Sequence, residues 1–436
     1  MFIVSPLGRA ARLLALCGAA LAASPPVHAE PALAFDEALL LAQARSQQLP
    51  AQDAAANAAR ELAVAAGTRP DPTLKAGLNN LPIDGPDRYS VTRDFMTMRS
   101  IGVAQEFTRT AKRQARAARY GREAEVAEAG RSLAIARLQR DTAIAWLDRH
   151  HQQRLVARLR AQRGEAALQL EAADAADRGG RGTQADALAA RAALAQMDDR
   201  IAQTERQIAT ARTQLARWIG AAADQPLAAP PDTAEVRLDS SNLEGVVDHH
   251  PRLAGRVQEE EVALADAEIA RANQRADWSA EVMFSQRGPA YSDLVSINVS
   301  IPLQWDRKRR QDRELAAKLA TAEQMKAQRE EASREHLAEA RTLLIEWQSD
   351  RARLARYDGS LIPLAAERTR AALASYRGAG SPLSGVLEAR RGEIDTRMER
   401  LRLEMDAARL WARLNYLVPA GHAGVPDGSV RAEKNQ

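Results

Sequence analysis

The stretch DFMTMRS at 94–100 holds Met96 and Met98, two positions apart at the start of a run that alternates apolar and polar residues. On a strand that spacing puts both thioethers on one face, where they could touch a soft ion such as Cu(I). Two histidine pairs are the other residues of metal-ligand type. His150 with His151, and His249 with His250, are adjacent in sequence, and helix neighbours point about 100° apart, so neither pair turns two imidazoles to one side. Both read as surface or interface histidines. No Ser/His/Asp order, phosphate loop or carboxylate dyad stands in a strand-helix context that supports catalysis. The chain reads as a non-enzyme without a cofactor. Cys17, the one cysteine, sits in an apolar run as filler, leaving no disulfide and no thiolate metal ligand beyond it.

The elements that must position these residues come from two copies of one pattern. At 294–310, LVSINVSIPLQWDRKRR alternates Val295, Ile297, Val299, Ile301 and Leu303 with Ser296, Asn298, Ser300 and Gln304, the period of a strand with one oily and one wet face. The segment 100–113 aligns without gaps to 296–309 at a shift of 196, with five of fourteen residues identical. Upstream, Pro50 and Pro251 each open a helical run; downstream, GTQADALAAR at 182–191 parallels GSPLSGVLEAR at 380–390. Each copy therefore reads helix, strand, loop, strand, long helix, turn, helix. Copy one occupies 30–220, with strands at 73–81 and 98–107 and a long helix at 110–163. Copy two occupies 242–418, with strands at 278–287 and 294–305 and a long helix at 306–357. A proline-marked linker at 221–241 joins them, and a polar, Gly/Pro-punctuated tail at 419–436 is expected to be disordered.

Each long helix would run roughly 75 Å, with Thr110 and Asp306 as N-caps. Lys112 and Arg113 in one copy, and Lys308, Arg309 and Arg310 in the other, oppose the helix dipole where they stand. Lipid headgroups at a membrane surface would compensate them.

Arg9 and Arg12 precede the apolar run LLALCGAALAA, and VHA follows as a small-residue cleavage site. Residues 1–29 thus have the layout of a secretory signal peptide. Without them the chain carries about +2, a near-balance that argues against a nucleic-acid partner. Elsewhere no stretch reaches the ~18 uninterrupted apolar residues of a spanning helix, so entry into a membrane must be made by strands. Four strands cannot close a barrel, since the smallest need about eight. Two copies of the chain would supply eight and three would supply twelve; the residues leave both open. The long helices carry charges throughout and must project from the membrane as antiparallel, coiled-coil-like pairs, forming a tube.

These features resemble the TolC family of outer-membrane efflux channels over roughly 35–418, on the two-copy plan, SINVSIPLQWDRKRR and GSPLSGVLEAR. GLNNLP at 77–82 and IGVAQEFTRTAKRQAR at 101–116 resemble its heavy-metal branch, the CzcC/CusC-like channels. The resemblance implies a mainly α protein with a small shared β-barrel: a homotrimer, twelve strands, and a long helical tunnel in the periplasm. It further implies docking to a periplasmic membrane-fusion adaptor and an inner-membrane pump of the resistance-nodulation-division type. Heavy-metal cations are the implied cargo. Positions matching the family's periplasmic entrance are Gly182, Thr183 and Asp186 in copy one, and Tyr376, Gly380, Ser381 and Glu388 in copy two. The sequence departs from the pattern at two places: Thr110-Ala111 and Asp306-Arg307 replace a glycine before the cations, and Gly385 stands where an acid is common. The competing expectations are an outer-membrane channel for organic compounds and a soluble periplasmic coiled-coil adaptor or chaperone. The latter would lack two strand pairs at a fixed repeat.

Overall fold

The computed structural model describes residues 32–180, 182–238, 240–378 and 383–420. The expected signal peptide, with Cys17, and most of the expected tail lie outside them. Copy one contains α1 (Phe35–Arg45), α2 (Gln48–Gly67), β1 (Thr73–Asn79), β2 (Met98–Phe107), α3 (Thr110–Arg178) and α4 (Gln184–Ile219). Copy two contains α5 (Leu243–Asp248), α6 (Pro251–Asn273), β3 (Trp278–Gln286), β4 (Leu294–Ser300), α7 (Gln311–Arg356), α8 (Ile362–Arg377) and α9 (Leu383–Asn415).

Helix α3 has 69 residues and is therefore roughly 100 Å long, well beyond the expected end at 163. Residues 165–178 are mostly Ala, Glu, Leu, Gln and Asp, which carry the helix past Gly164. It stops where Gly180 adopts φ +65°, a left-handed conformation that costs glycine little. Its N-cap is Arg109, and Thr110 lies inside the first turn. The second long helix starts at Gln311, five residues later than expected. Asp306 caps a preceding turn instead, its Oδ1 accepting the Arg309 N–H at 3.3 Å. Likewise β4 ends at Ser300, because Pro302 has no N–H for the ladder and β3, its partner, begins at Trp278. Strand β1 ends at Asn79, since Asn80 turns the chain at φ +56°. Between α7 and α8 the helical path continues through a single wide π turn at Tyr357–Leu361. Pro363, which lacks the N–H an α-helix would use there, follows one residue later.

The strands form one antiparallel sheet in the order β1-β2-β3-β4, so the two copies' hairpins meet at β2 and β3. The register aligns Leu74 with Val103, Val103 with Val282 and Val282 with Ile297, and Ala76 with Ile101, Phe284 and Val295 in a second row. These residues share a face. On the opposite face Lys75 of β1 reaches across β2 to Glu281 of β3 at 2.6 Å. Gly102 lies between those strands, and a Cβ there would come 2.8 Å from the Val282 carbonyl oxygen. Among the described residues of one chain β1 and β4 are edges with nothing paired outside them.

Away from the sheet, a belt of buried residues ties the helices together. Phe35 and Leu39 of α1, Trp146 and Leu147 of α3, Leu215 of α4 and Trp411 and Leu414 of α9 form its centre. Phe35 meets Trp146 edge-on at 5.5 Å. The linker is docked on this belt: Arg149 donates to the carbonyls of Ala223 and Gln225 at 2.7 and 2.8 Å, and Trp411 Nε1 donates to the Glu235 carbonyl at 2.7 Å. Even the start of the expected tail is packed, with the Ala420 N–H donating to Gln139 Oε1 at 2.9 Å. Ion pairs Asp148 with Arg409, Arg154 with Glu404, and Glu165 with Arg390 run in opposite numerical order, so α3 and α9 are antiparallel.

Candidate functional site

The shared sheet face is apolar and open. Leu74, Ile101, Val103, Val282, Val295 and Val299 are all exposed, and Ile297 is 74% exposed. Aromatic residues border this band at both ends. Next to the helices Phe107 stacks on Trp278 with centroids 4.1 Å apart, and Trp305 is 88% exposed. At the loop end Phe95 and Tyr291 lie 6.5 Å apart. Strand β2 spans ten residues, roughly 33 Å, which on tilting matches the ~25 Å apolar band of membrane barrels with its aromatic girdles. The loops of the two hairpins are packed together: a Cβ on Gly288 would overlap the Thr92 carbonyl oxygen at 1.8 Å, so only glycine fits.

Met98 opens β2 opposite Asn79, but Met96 lies before the strand. Asp94 Oδ1 accepts the N–H groups of Met96 and Thr97 at 2.8 and 3.1 Å, a side-chain turn that bends the chain there. The expected shared strand face for the two thioethers is thus not built by β2.

Where strands meet helices, the cations divide. Lys112 is 6% exposed and pairs with Asp277 at 2.7 Å; the Arg109 N–H also donates to Asp277 at 2.9 Å. Arg113 donates to the Thr108 carbonyl at 2.8 Å. For Lys112 the compensation expected from lipid therefore comes from the protein. In copy two Arg307 is held by Asp312 at 3.0 Å, while Lys308, Arg309 and Arg310 are exposed and form no ion pair among the described residues.

At the far end, the α3-α4 turn depends on Gly182, whose N–H donates to the Ala176 carbonyl at 3.0 Å; a Cβ would come 3.0 Å from Ala176 Cβ and Asp177 N. Thr183 caps α4, its Oγ1 accepting the Asp186 N–H at 3.2 Å and donating to the Asp186 carboxylate at 2.8 Å. Glu388, at the matching position of copy two, pairs instead with Arg368 at 3.3 Å on the surface. Tyr376 packs on a cluster of Ala173, Ala190, Leu383 and Val386 that joins the two helical turns. Gly380 and Ser381 lie outside the described residues.

An ionic knot just above this turn escaped sequence reading. Glu393, 3% exposed, accepts from Arg390 at 2.9 Å and Arg397 at 2.7 Å, and Arg390 also pairs with Glu165 of α3. Burial acts to raise the Glu393 carboxyl, but hydrogen bonding from Thr369 and Arg390 and the charges of Arg390 and Arg397 hold it below its ordinary range. Its signal was the Arg-x-x-Glu-x-x-x-Arg spacing, which places all three on one helix face. Among the described histidines His151, His250 and His336 are buried and His150 is half-buried, while His249 is exposed. His150 stacks on Trp146 at 5.4 Å, and His250 stacks on His336 at 4.8 Å. Burial pushes His151 and His250 each down to about 4. Among the described residues no three His, Cys, Asp or Glu side chains are grouped to hold a metal ion, and no helix is long and apolar enough to cross a membrane.

This combination, a small sheet with a bare apolar face carried on long antiparallel helices, α3 alone reaching about 100 Å, is an outer-membrane channel fold. No family model matches the chain, and no curated protein matches its sequence. Solved structures do. The outer-membrane channel OprN superposes with a TM-score of 0.74 at 16% identity, covering 89% of this chain and 90% of that one. The outer membrane protein VceC of Vibrio cholerae gives 0.72 at 18%, covering 88% and 95%. CusC, whose structures describe conformational changes accompanying folding and transmembrane channel formation, gives 0.68 at 16%, covering 88% and 92%. At such identities the likeness is one of fold, the fold of TolC-like channels.

Proposed function

We propose that the chain is the outer-membrane channel of a tripartite efflux system, a passive conduit for heavy-metal cations. The observation that carries the channel is the sheet: an exposed apolar face with aromatic borders and two unpaired edges is stable in lipid only when copies of the chain close it into a barrel. Three copies supply twelve strands, and their helices together form the periplasmic tunnel. Likeness to outer-membrane channels over nearly nine-tenths of the chain supports this reading. A periplasmic adaptor and an inner-membrane pump supply the docking and the energy. Lys308, Arg309 and Arg310, exposed beneath Trp305, lie against headgroups of the inner leaflet, and Gly182, Thr183, Asp186, Tyr376 and Glu388, with Gly380 and Ser381 assigned from the sequence pattern alone, belong to the entrance. GLNNLP and IGVAQEFTRTAKRQAR support metal as cargo.

Fractionation and tolerance test the two levels separately. The chain is expected in detergent-soluble outer membrane as a heat-sensitive oligomer; recovery as soluble periplasmic protein would overturn the channel. A strain lacking it is expected to become sensitive to copper, silver, zinc, cobalt or cadmium salts. Sensitivity confined to antibiotics and detergents would keep the channel and replace the cargo with organic compounds.

A further inference from the structure

The strand register divides the sheet's side chains between lipid and lumen. On the face opposite the apolar rows, the ladders carry three charged residues, Lys75, Glu106 and Glu281, and otherwise small or uncharged ones. Two of the three cancel. Lys75 pairs in the ladder with Gly102, which puts no side chain in its path, and its ammonium reaches Glu281 at 2.6 Å. Glu106 has no such partner. It is exposed, its carboxylate accepts from the Thr108 hydroxyl at 3.4 Å, and it forms no ion pair among the described residues. It stands on the row next to that of Glu281, at the helix end of the sheet, since Glu106 faces Ser279 and Glu281 faces Ala104. In a closed barrel each copy therefore brings one uncompensated carboxylate to the lumen wall. Twelve strands spaced about 4.8 Å and tilted about 40° close at a backbone radius of about 12 Å. Charge is screened over about 30 Å in 10 mM salt and about 10 Å in 0.1 M, so in dilute salt these carboxylates act across the whole lumen.

We infer that Glu106 makes the lumen of the barrel selective for cations, and that Lys75 limits the effect by neutralising Glu281. The inference rests on the reading that copies of the chain close the sheet into a barrel, and it is independent of which cargo passes. Glu106 acts through the potential it sets at the wall and needs no bound ion: passing cations are enriched there and anions depleted. Ser279 and Ser300, the other residues of its row, are too small to shield the carboxylate from the lumen.

The test places a thiol beside Glu106. The full chain carrying Ser279→Cys, purified as the detergent-solubilised oligomer, is modified in about 10 mM salt with a cationic and with an anionic methanethiosulfonate of similar size. The ratio of the two rates reads the local potential and cancels any change in the thiol's own reactivity. Cys17, the one native cysteine, lies in the expected signal peptide, and the unsubstituted chain serves as the blank. Relative to the same ratio for 2-mercaptoethanol in solution, the cationic reagent should be favoured at least about threefold, since a unit charge a few ångströms away in water shifts local ion concentrations by that much. Adding Glu106→Gln should return the ratio close to its solution value. Lys75→Gln, which frees Glu281, should raise it, and Glu281→Gln, which frees Lys75, should lower it. Raising the salt to about 0.1 M should shrink all these differences. The oligomer's heat stability checks that each variant assembles. A ratio unmoved by Glu106→Gln, or one that Lys75→Gln fails to raise, would overturn the inference. Failure of the unsubstituted chain to form the oligomer would remove the barrel and this inference together, whereas an oligomer with unmoved ratios would remove the inference alone.

Discussion

The imidazole of His250 accepts the Arg252 N–H at 3.1 Å and so caps α6, which requires its Nδ1 to be unprotonated. Burial, reinforced by His336, Arg252, Arg137 and Arg140, lowers it from 6.5 to about 4; His336, stacked on it, is lowered too, with Glu339 and Glu335 opposing the shift. Between those pH values the unfolded chain binds the proton and the folded chain does not. Stability is therefore full above about pH 6.5 and drains as pH falls toward 4, by on the order of 3 kcal/mol for His250. The thermal midpoint should fall over that range, and His250→Asn, which keeps a cap acceptor but cannot titrate, should fall less steeply; parallel profiles would refute the assignment. Little of this was legible in sequence. His249 and His250 drew attention as neighbours, whereas the working pair is His250 and His336, brought together only when α6 and α7 pack. Asp186 and Glu388 were found from the repeat, but their partners differ: Thr183 is the local cap of α4, whereas Arg368 reaches Glu388 across the packed helices α8 and α9.

Elements were easier to read than contacts, because their signals are periodic. Alternation marked β2, β3 and β4, and proline-free runs of Ala, Arg, Glu and Leu marked α3 and α7. Ends were less legible, since they are decided by single residues: Pro302 for β4, Asp306 for the turn before α7, and Gly180 for α3. The junction between β3 and α3 went unread for a similar reason. Lys112 looked like a cation awaiting lipid, but Asp277 lies 165 residues away in sequence and reaches it only after β2 pairs with β3. Their side chains are 7% and 15% exposed, so Asp277→Asn strands a buried ammonium and should destabilise the fold by about 3 kcal/mol. Lys308→Ala, at the equivalent but exposed position, should change stability by less than about 0.5 kcal/mol. Denaturant or thermal unfolding of the two variants compares them directly, and equal losses would mean that Lys112 is not held by this pair.

For the molecule as a whole, the decisive feature is that its most hydrophobic sheet face is also its barest. The repeat exposed that logic in sequence: two strand pairs and two helix pairs in one chain, too few strands to close alone. It could not supply the register, which is set by pairing between copies one and two across β2 and β3 and aligns Val103, Val282 and Ile297 in one row. The register makes a prediction that separates a membrane channel from a soluble protein. Ile297 and Asn298 are adjacent, both exposed in the lone chain, and point to opposite faces at the middle of β4. Were the chain soluble, arginine at either position would be a tolerated surface change. In the proposed barrel Ile297→Arg places a cation in mid-bilayer at a cost of about 2–4 kcal/mol per copy, whereas Asn298→Arg faces the lumen and costs far less. Three copies incur the Ile297 penalty together, so Ile297→Arg should deplete the heat-sensitive oligomer from outer membranes while Asn298→Arg leaves it near wild-type abundance. Equal recovery of both variants would mean that this face does not meet lipid.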